Sequence, residues 1–445
     1  MDNQLRRVLT LWDLVFYGLV LIQPIAAVPL FGLADKLSRG HVVTTILLAM
    51  VAMMLTAFSY GRMAAVYPES GSAYTYVSRG LNPHLGFLTG WAMILDYLVI
   101  PIINIIYGSL TLNRLIPSVP YVVWVLTLTL VITLLNLRGI RTTARTNMIL
   151  LIIMCLVIGA FMLLAVKYLL HLGGLPGLLS IRPFYDPKTT DLSSIATATS
   201  LAALTYIGFD GVTTLSEEVQ NPKRNVLLAT VLVCLLTGIF SGSQVYLAQL
   251  VWPDYSSFPS VETAFMDISR RVGGLALFNA MAFILIIGSL GSGLGGQAGA
   301  ARVLFGMGRD NALPKKFFAH INPKSHVPSY NIWLIGLITF SGSMLLDFEK
   351  AAEVLNFGAF LAFMGVNLAV IKHFYFRRGY NEKKHLFKDA VLPAMGFLFC
   401  LWIWWNLARP AKIVGGFWFL GGIIYEIYTT RGFRTRPVAI DLKET

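Results

Sequence analysis

The sequence predicts an all-α membrane protein of about twelve transmembrane helices, and three observations carry that expectation. The first is composition: of 445 residues, 56% are hydrophobic and 13% charged, where a soluble domain carries roughly a quarter charged residues. The second is arrangement, because the apolar residues come in long blocks rather than one-faced stripes. Crossing a hydrocarbon core of about 30 Å takes about 20 residues at ~1.5 Å each, and stretches such as 42–60 and 147–166 meet that length without a charge. The third is where the basic residues fall. A net charge of +13 can mean nucleic acid, but nucleic-acid binders gather Lys and Arg on one face or stripe. Here they occupy short gaps between apolar blocks, mostly every second gap, so no nucleic-acid partner is expected.

Twelve blocks follow one another. The first five span 11–34, 42–62, 86–112, 121–136 and 147–170. The next five span 194–219, 226–251, 275–304, 331–346 and 351–373, and two more lie at 390–407 and 414–429. With the N-terminus in the cytoplasm, the inner segments hold Arg6, Arg7, Arg62, Arg79, Arg138, Arg141, Arg145, Lys223 and Arg224. They also hold five basic residues between 302 and 324, six between 372 and 388, and four beyond 430, which makes 24 of the 35. Positive charge is retained on the cytoplasmic side, so an even helix count and two cytoplasmic termini are expected. The first block is too long for a signal-peptide core and no small-residue cleavage site follows a short one, which argues against a cleaved leader. Cys155, Cys234 and Cys400 lie inside blocks with no CxxC pairing, the pattern of small buried hydrophobes rather than disulfides or a metal site.

Two blocks are interrupted. The first carries Gln23-Pro24 near its middle and Pro29 beyond; Pro24 removes a backbone donor and pushes Gln23 out of the α region. The sixth contains Gly208-Phe209-Asp210-Gly211, two glycines around an acid. Broken backbone at membrane depth survives only where it lines a protein-enclosed cavity. The two breaks open corresponding positions in two sets of five blocks, 11–170 and 194–373, followed by the pair at 390–429. Paired interruptions of this kind point to an inverted-repeat transporter with its site near the midplane, although the two halves share no direct sequence similarity.

Several runs are specific to one family. Tyr67-Pro68-Glu69-Ser70-Gly71-Ser72-Ala73-Tyr74-Thr75-Tyr76 lies between blocks two and three, and Gly90-Trp91 with Leu95-Asp96-Tyr97 lies in block three. Gly208-Phe209-Asp210 leads to Thr213-Thr214-Leu215-Ser216-Glu217-Glu218 in block six. Ala301-Arg302-Val303-Leu304 and Met307-Gly308-Arg309-Asp310-Asn311 follow block eight. In these runs the chain resembles the amino acid–polyamine–organocation permeases, and within them the putrescine importers, over essentially its whole length. The resemblance implies a single permease domain over 1–445 with a LeuT-like fold. That fold has two inverted five-helix repeats with helices one and six broken, two C-terminal helices and alternating access. Substrate would lie between the unwound parts, beside helices three, eight and ten.

One departure bears on substrate. Amino-acid permeases of this family carry a glycine/serine-rich turn in helix one whose N–H groups hold an α-carboxylate. Here the segment reads Leu21-Ile22-Gln23-Pro24-Ile25-Ala26-Ala27, without glycine, and Pro24 lacks an N–H. A substrate without a carboxylate is favoured, and a diamine fits. Candidate binding residues are Gln23, Pro24, Ala26, Asp96, Tyr97, Tyr206, Gly208, Phe209 and Asp210. Asp96 and Asp210 are read as the acids well inside apolar segments, where an ionised Asp costs about 2.5–3.5 kcal/mol. Asp210 either takes an ammonium group or caps the helix half beginning at Gly211, and one carboxylate can do both. Asp96 either takes a second ammonium or makes a structural hydrogen bond. Tyr97, Tyr206 and Phe209 offer cation–π faces or ordinary packing. Glu217 and Glu218 are either solvated or serve as a gate or coupling pair with Arg62 or Arg302.

The expected function is import of a small cationic amine, putrescine-type, across the cell's inner membrane with proton coupling as the resemblance implies. Block five offers no lysine at its middle, and Lys167 lies near its outer end, so coupling stays open. An amino-acid permease or exchanger is the alternative within transporters, and a membrane sensor or channel is the alternative outside them. Expected partners are the substrate, the proton and lipid. No cofactor is expected, nor an enzyme, since no nucleophile motif, metal-ligand spacing or phosphate loop occurs.

Overall fold

The computed structural model describes residues 7–67, 72–139, 144–309, 313–376, 385–435 and 437. Nothing is described of the side chains of Ser72, 144–147 or Glu217. Every apolar block is helical. Among the described residues, eight helices are long and apolar enough to cross a membrane, including Val42–Val66, Pro83–Leu115 and Phe348–Phe376. Blocks one, four, nine and twelve fall outside that measure, because the first is split and the others are shorter or less apolar.

In chain order the elements of the first half are α1 Leu11–Ile22, α2 Phe31–Leu37, α3 Val42–Val66, α4 Ser72–Gly80, α5 Pro83–Leu115, α6 Tyr121–Leu137 and α7 Ala144–Leu178. Those of the second half are α8 Leu192–Ala202, α9 Pro222–Val251, α10 Ala264–Arg309, α11 Lys315–Phe318, α12 Ser329–Leu345 and α13 Phe348–Val370, then α14 Leu392–Trp405 and α15 Arg409–Thr429. Local chemistry explains several ends. Thr10 caps α1 in a reciprocal box with Asp13, which satisfies two of the orphan donors of a first turn. Asn82 caps α5, its side chain accepting from His84 N–H at 2.8 Å ahead of Pro83 at the first position. That proline extends the helix three residues before the start expected from hydrophobicity, as proline's fixed φ suits a first turn. At Gly274, with φ 65°, a short leading segment hinges into the long part of α10.

The helices pack as a bundle in which α3 lies along α9, α5 along α10 and α6 along α12. In addition α1 meets α9, α8 meets α3, α5 meets α13 and α12, and α10 meets α7 and α6. Small residues allow the close approaches. A methyl group added at Gly61 would fall 2.4 Å from Leu227 Cα, and one at Gly358 2.5 Å from the Ala92 carbonyl, the small-residue packing that membrane helices favour.

Three expectations need correction. Cys155 is exposed on α7 while Cys234 and Cys400 are buried, because block five turns one side outward. Asp96 and Asp210 are not alone as acids inside the bundle: Glu353 and Glu426 are almost fully buried in blocks ten and twelve. They escaped notice because each sits near a block end, where hydropathy alone reads solvent. Arg62 has an acid partner that the sequence does not announce. It holds Asp389 at 2.5 Å and the Lys388 carbonyl at 2.7 Å, and lies 3.9 Å over the Phe374 ring.

Candidate functional site

The first break is built by Gln23 and Pro24. α1 ends at Ile22, and Gln23 adopts φ 68°, ψ 136°, a region a non-glycine residue enters only at a cost of about 1–3 kcal/mol. Neighbouring helices hold it there. Gln244 on α9 donates to the Pro24 carbonyl at 3.0 Å, and Gln23 Nε2 makes a long 3.4 Å contact with the Gly288 carbonyl on α10. Ala26 N–H donates to the Gln23 carbonyl at 3.1 Å, and the chain winds through short turns to α2. These bonds satisfy backbone that lipid cannot.

The second break follows α8. The backbone tightens to a 3-10 turn at Ala203–Tyr206, passes Gly208 at φ 112°, and resumes as a 3-10 helix at Phe209–Glu218. Only glycine adopts that φ without strain. The second half therefore begins at Phe209 with Gly208 at its cap position, rather than at Gly211 behind Asp210. Thr213 and Thr214 hydroxyls donate to the Asp210 and Gly211 carbonyls at 2.7 and 2.6 Å, satisfying acceptors that a loose helix leaves open.

The two breaks touch. A methyl group at Gly208 would lie 3.7 Å from Ile22 Cγ1 and from the Leu21 backbone, and one at Gly211 would lie 2.6 Å from Leu21 Cδ1. Asp96 lies on α5, which packs along α10 and α13. Asp96 is half-buried, yet its Oδ1 is fully enclosed and has no hydrogen-bond partner. An enclosed carboxylate oxygen without a donor is an acceptor left to be satisfied.

The remaining candidates separate. Phe209 is buried, with its ring centroid 5.4 Å from Tyr60 and 5.2 Å from Phe363. Tyr206 is also buried, and its hydroxyl donates to the Ile46 carbonyl of α3 at 2.8 Å; it fastens block six to block two. Tyr97 packs on Gly299 of α10 and joins a different apolar cluster, around Phe87, Ile94, Val303 and Met307. Glu218 is half-buried, and its carbonyl accepts Leu9 N–H at 3.0 Å. Gln220 N–H returns a bond to the Leu9 carbonyl at 2.9 Å, so a parallel bridge ties the approach to α1 to the end of block six. The Glu217 side chain lies outside the described residues.

Sequence reading missed Gln244 and Tyr60. A signal existed for Gln244, since an amide inside an apolar block is costly without a partner. A groove of about 420 Å³ lined by Val43, Leu47, Gly238, Gly242 and Tyr246 carries no charged side chain, so it does not suit an amine.

Comparison with known proteins adds to this geometry. The profile of the family described as amino acid permease matches residues 15–421. The low-affinity putrescine importer PlaP of Escherichia coli K12 is 35% identical, the match covering 97% of this chain and 95% of that protein. The branched-chain amino acid permease BcaP of Lactococcus lactis subsp. cremoris is 26% identical over 97% of this chain and 96% of its own. The methylthioribose transporter of Bacillus subtilis is 25% identical over 97% and 95%. With the long apolar helices, these matches make the chain a multi-pass membrane protein of a transport family.

Proposed function

We infer, since this chain belongs to the amino acid permease family, that it is a secondary transporter importing a small organic amine of the putrescine type by alternating access. The observation that carries the substrate class is the junction itself. Asp96 presents an enclosed acceptor without a donor, Asp210 stands in the second break, and the first break offers Pro24, which has no N–H, where a carboxylate would need one. A diamine supplies two ammonium groups and no carboxylate. Asp210 takes one end, Asp96 takes the other or orders the site, and Gln23, Pro24, Ala26, Gly208 and Phe209 form the surrounding backbone and wall. The identity to a putrescine importer supports the same reading.

In this reading the twelve blocks are twelve transmembrane helices with both termini in the cytoplasm of the cell that carries the permease in its inner membrane. Exchanging each helix with the one five places away maps the packing onto itself. Pairs two–seven, three–eight and four–nine are unchanged, one–seven becomes six–two, three–ten becomes eight–five, and three–nine becomes eight–four. That invariance supports two five-helix repeats over 11–170 and 194–373, a LeuT-like arrangement with 390–429 appended.

The test is uptake of labelled putrescine by proteoliposomes, with Asp210→Asn beside wild type. Loss of uptake with intact insertion is expected, and undiminished uptake would remove Asp210 from the mechanism. Competition by lysine, arginine and leucine separates an amine importer from an amino-acid permease or exchanger. Imposing and collapsing a pH gradient tests proton coupling, and uptake indifferent to the gradient rejects it. Saturation of uptake with substrate excludes a channel.

A further inference from the structure

Tyr60 on α3 is fully buried, and its hydroxyl has no hydrogen-bond partner. Leaving such a group unpaired costs about 1–3 kcal/mol. Packing holds the ring firmly: the rings of Tyr76, Phe209 and Phe363 meet it edge to face at 5.8, 5.4 and 5.8 Å. The contrast with Tyr206 is direct, because that buried hydroxyl is spent on the Ile46 carbonyl of the same α3. The Tyr60 ring instead lies against Phe209, which precedes Asp210 in the second break, and its hydroxyl is unspent. A buried, unspent phenol oxygen on α3 thus belongs to the packing around the second break, and Asp96 on α5 carries another unspent acceptor.

A primary ammonium group carries three N–H donors, and only acceptors arrayed around it satisfy all three. Two carboxylates supply charge and direction, and a neutral phenol oxygen supplies the third acceptor without adding a further negative charge to be neutralised. We propose that Tyr60 is a substrate-binding residue whose hydroxyl oxygen accepts an N–H from the bound primary ammonium, so that the site selects primary amines over amines with fewer N–H groups. Phe209 and Phe363 hold the phenol in position and close the apolar side of the pocket. The proposal rests on the reading of Asp96 and Asp210 as the amine site.

Tyr60→Phe keeps the ring and removes only the hydroxyl. The full-length purified protein is compared as wild type, Tyr60→Phe and Asp210→Asn, measuring the ligand-free melting temperature and the Kd for putrescine by calorimetry. Removing an unpaired buried hydroxyl leaves the ligand-free melting temperature of Tyr60→Phe unchanged or higher, while its putrescine Kd weakens about tenfold or more, as loss of a hydrogen bond to a charged group requires. A lower melting temperature with unchanged Kd makes Tyr60 a packing residue and overturns the proposal. Unchanged Kd in Tyr60→Phe with binding abolished in Asp210→Asn overturns it while leaving the amine site standing. Unchanged Kd in Asp210→Asn removes the site, and the proposal with it.

Discussion

Gly211 of the second break stands against Leu21 of the first, so close that a methyl group on Gly211 would fall 2.6 Å from Leu21 Cδ1. Three residues earlier Gly208 holds φ 112° with ordinary space around it. The two glycines therefore do different work. Leu21 can swing aside for a methyl, whereas a side chain at Gly208 is strained by backbone conformation wherever it points. Gly208→Ala is expected to lower stability by about 1–3 kcal/mol and to cut putrescine uptake, with Gly211→Ala milder in both. Melting curves and proteoliposome uptake on the two variants check this, and equal effects would place the constraint in space rather than in φ.

Asp96 trades stability for binding. Its enclosed Oδ1 has no hydrogen-bond partner, so the ligand-free protein carries the cost. Asp96→Asn is expected to raise the ligand-free melting temperature by about 1–4 °C, a change on the scale of 1 kcal/mol for a chain of this size, while abolishing the stabilisation by putrescine. Differential scanning fluorimetry with and without putrescine measures both. A lowered ligand-free melting temperature would mean that Asp96 has a structural partner.

Arg62 and Asp389 tie α3 to the segment that leads into α14. Their atoms lie 2.5 Å apart, Asp389 is about 1% exposed, and its second oxygen accepts His385 N–H at 2.8 Å. Removing one partner leaves a buried charge uncompensated, at a cost of about 3–5 kcal/mol. Arg62→Met is expected to destabilise by that amount, and adding Asp389→Asn to recover most of it. A double-mutant cycle showing simple additivity would deny the pairing.

Trp91 and Trp418 lock α5 to α15 reciprocally. Each indole N–H donates to the other residue's carbonyl at 2.9 Å, and the rings stack at 5.2 Å. Gly422 makes room for them: a methyl group there would lie 2.5 Å from Trp91 Cδ1. Gly422→Ala is expected to cost about 1–3 kcal/mol through overpacking without moving the putrescine Kd, because the lock stands apart from the two breaks. Calorimetric Kd and melting temperature on one preparation decide the point.

By itself the sequence determined what depends on near neighbours along the chain. Block lengths follow from the width of the hydrocarbon core, and the breaks at Gln23-Pro24 and Gly208 follow from proline's missing donor and glycine's missing Cβ; both are properties of a few consecutive residues. Tertiary structure decided what depends on residues far apart. Tyr206 and Tyr60 are the same residue type in similar apolar surroundings, and only the approach of α8 to α3 spends one hydroxyl on Ile46 while the other stays unspent beside Phe209. Arg62 found Asp389 across more than three hundred residues, and Glu353 and Glu426 became buried because other helices covered the ends of theirs. Pairing at such distance is set by packing, to which no local pattern of residues corresponds.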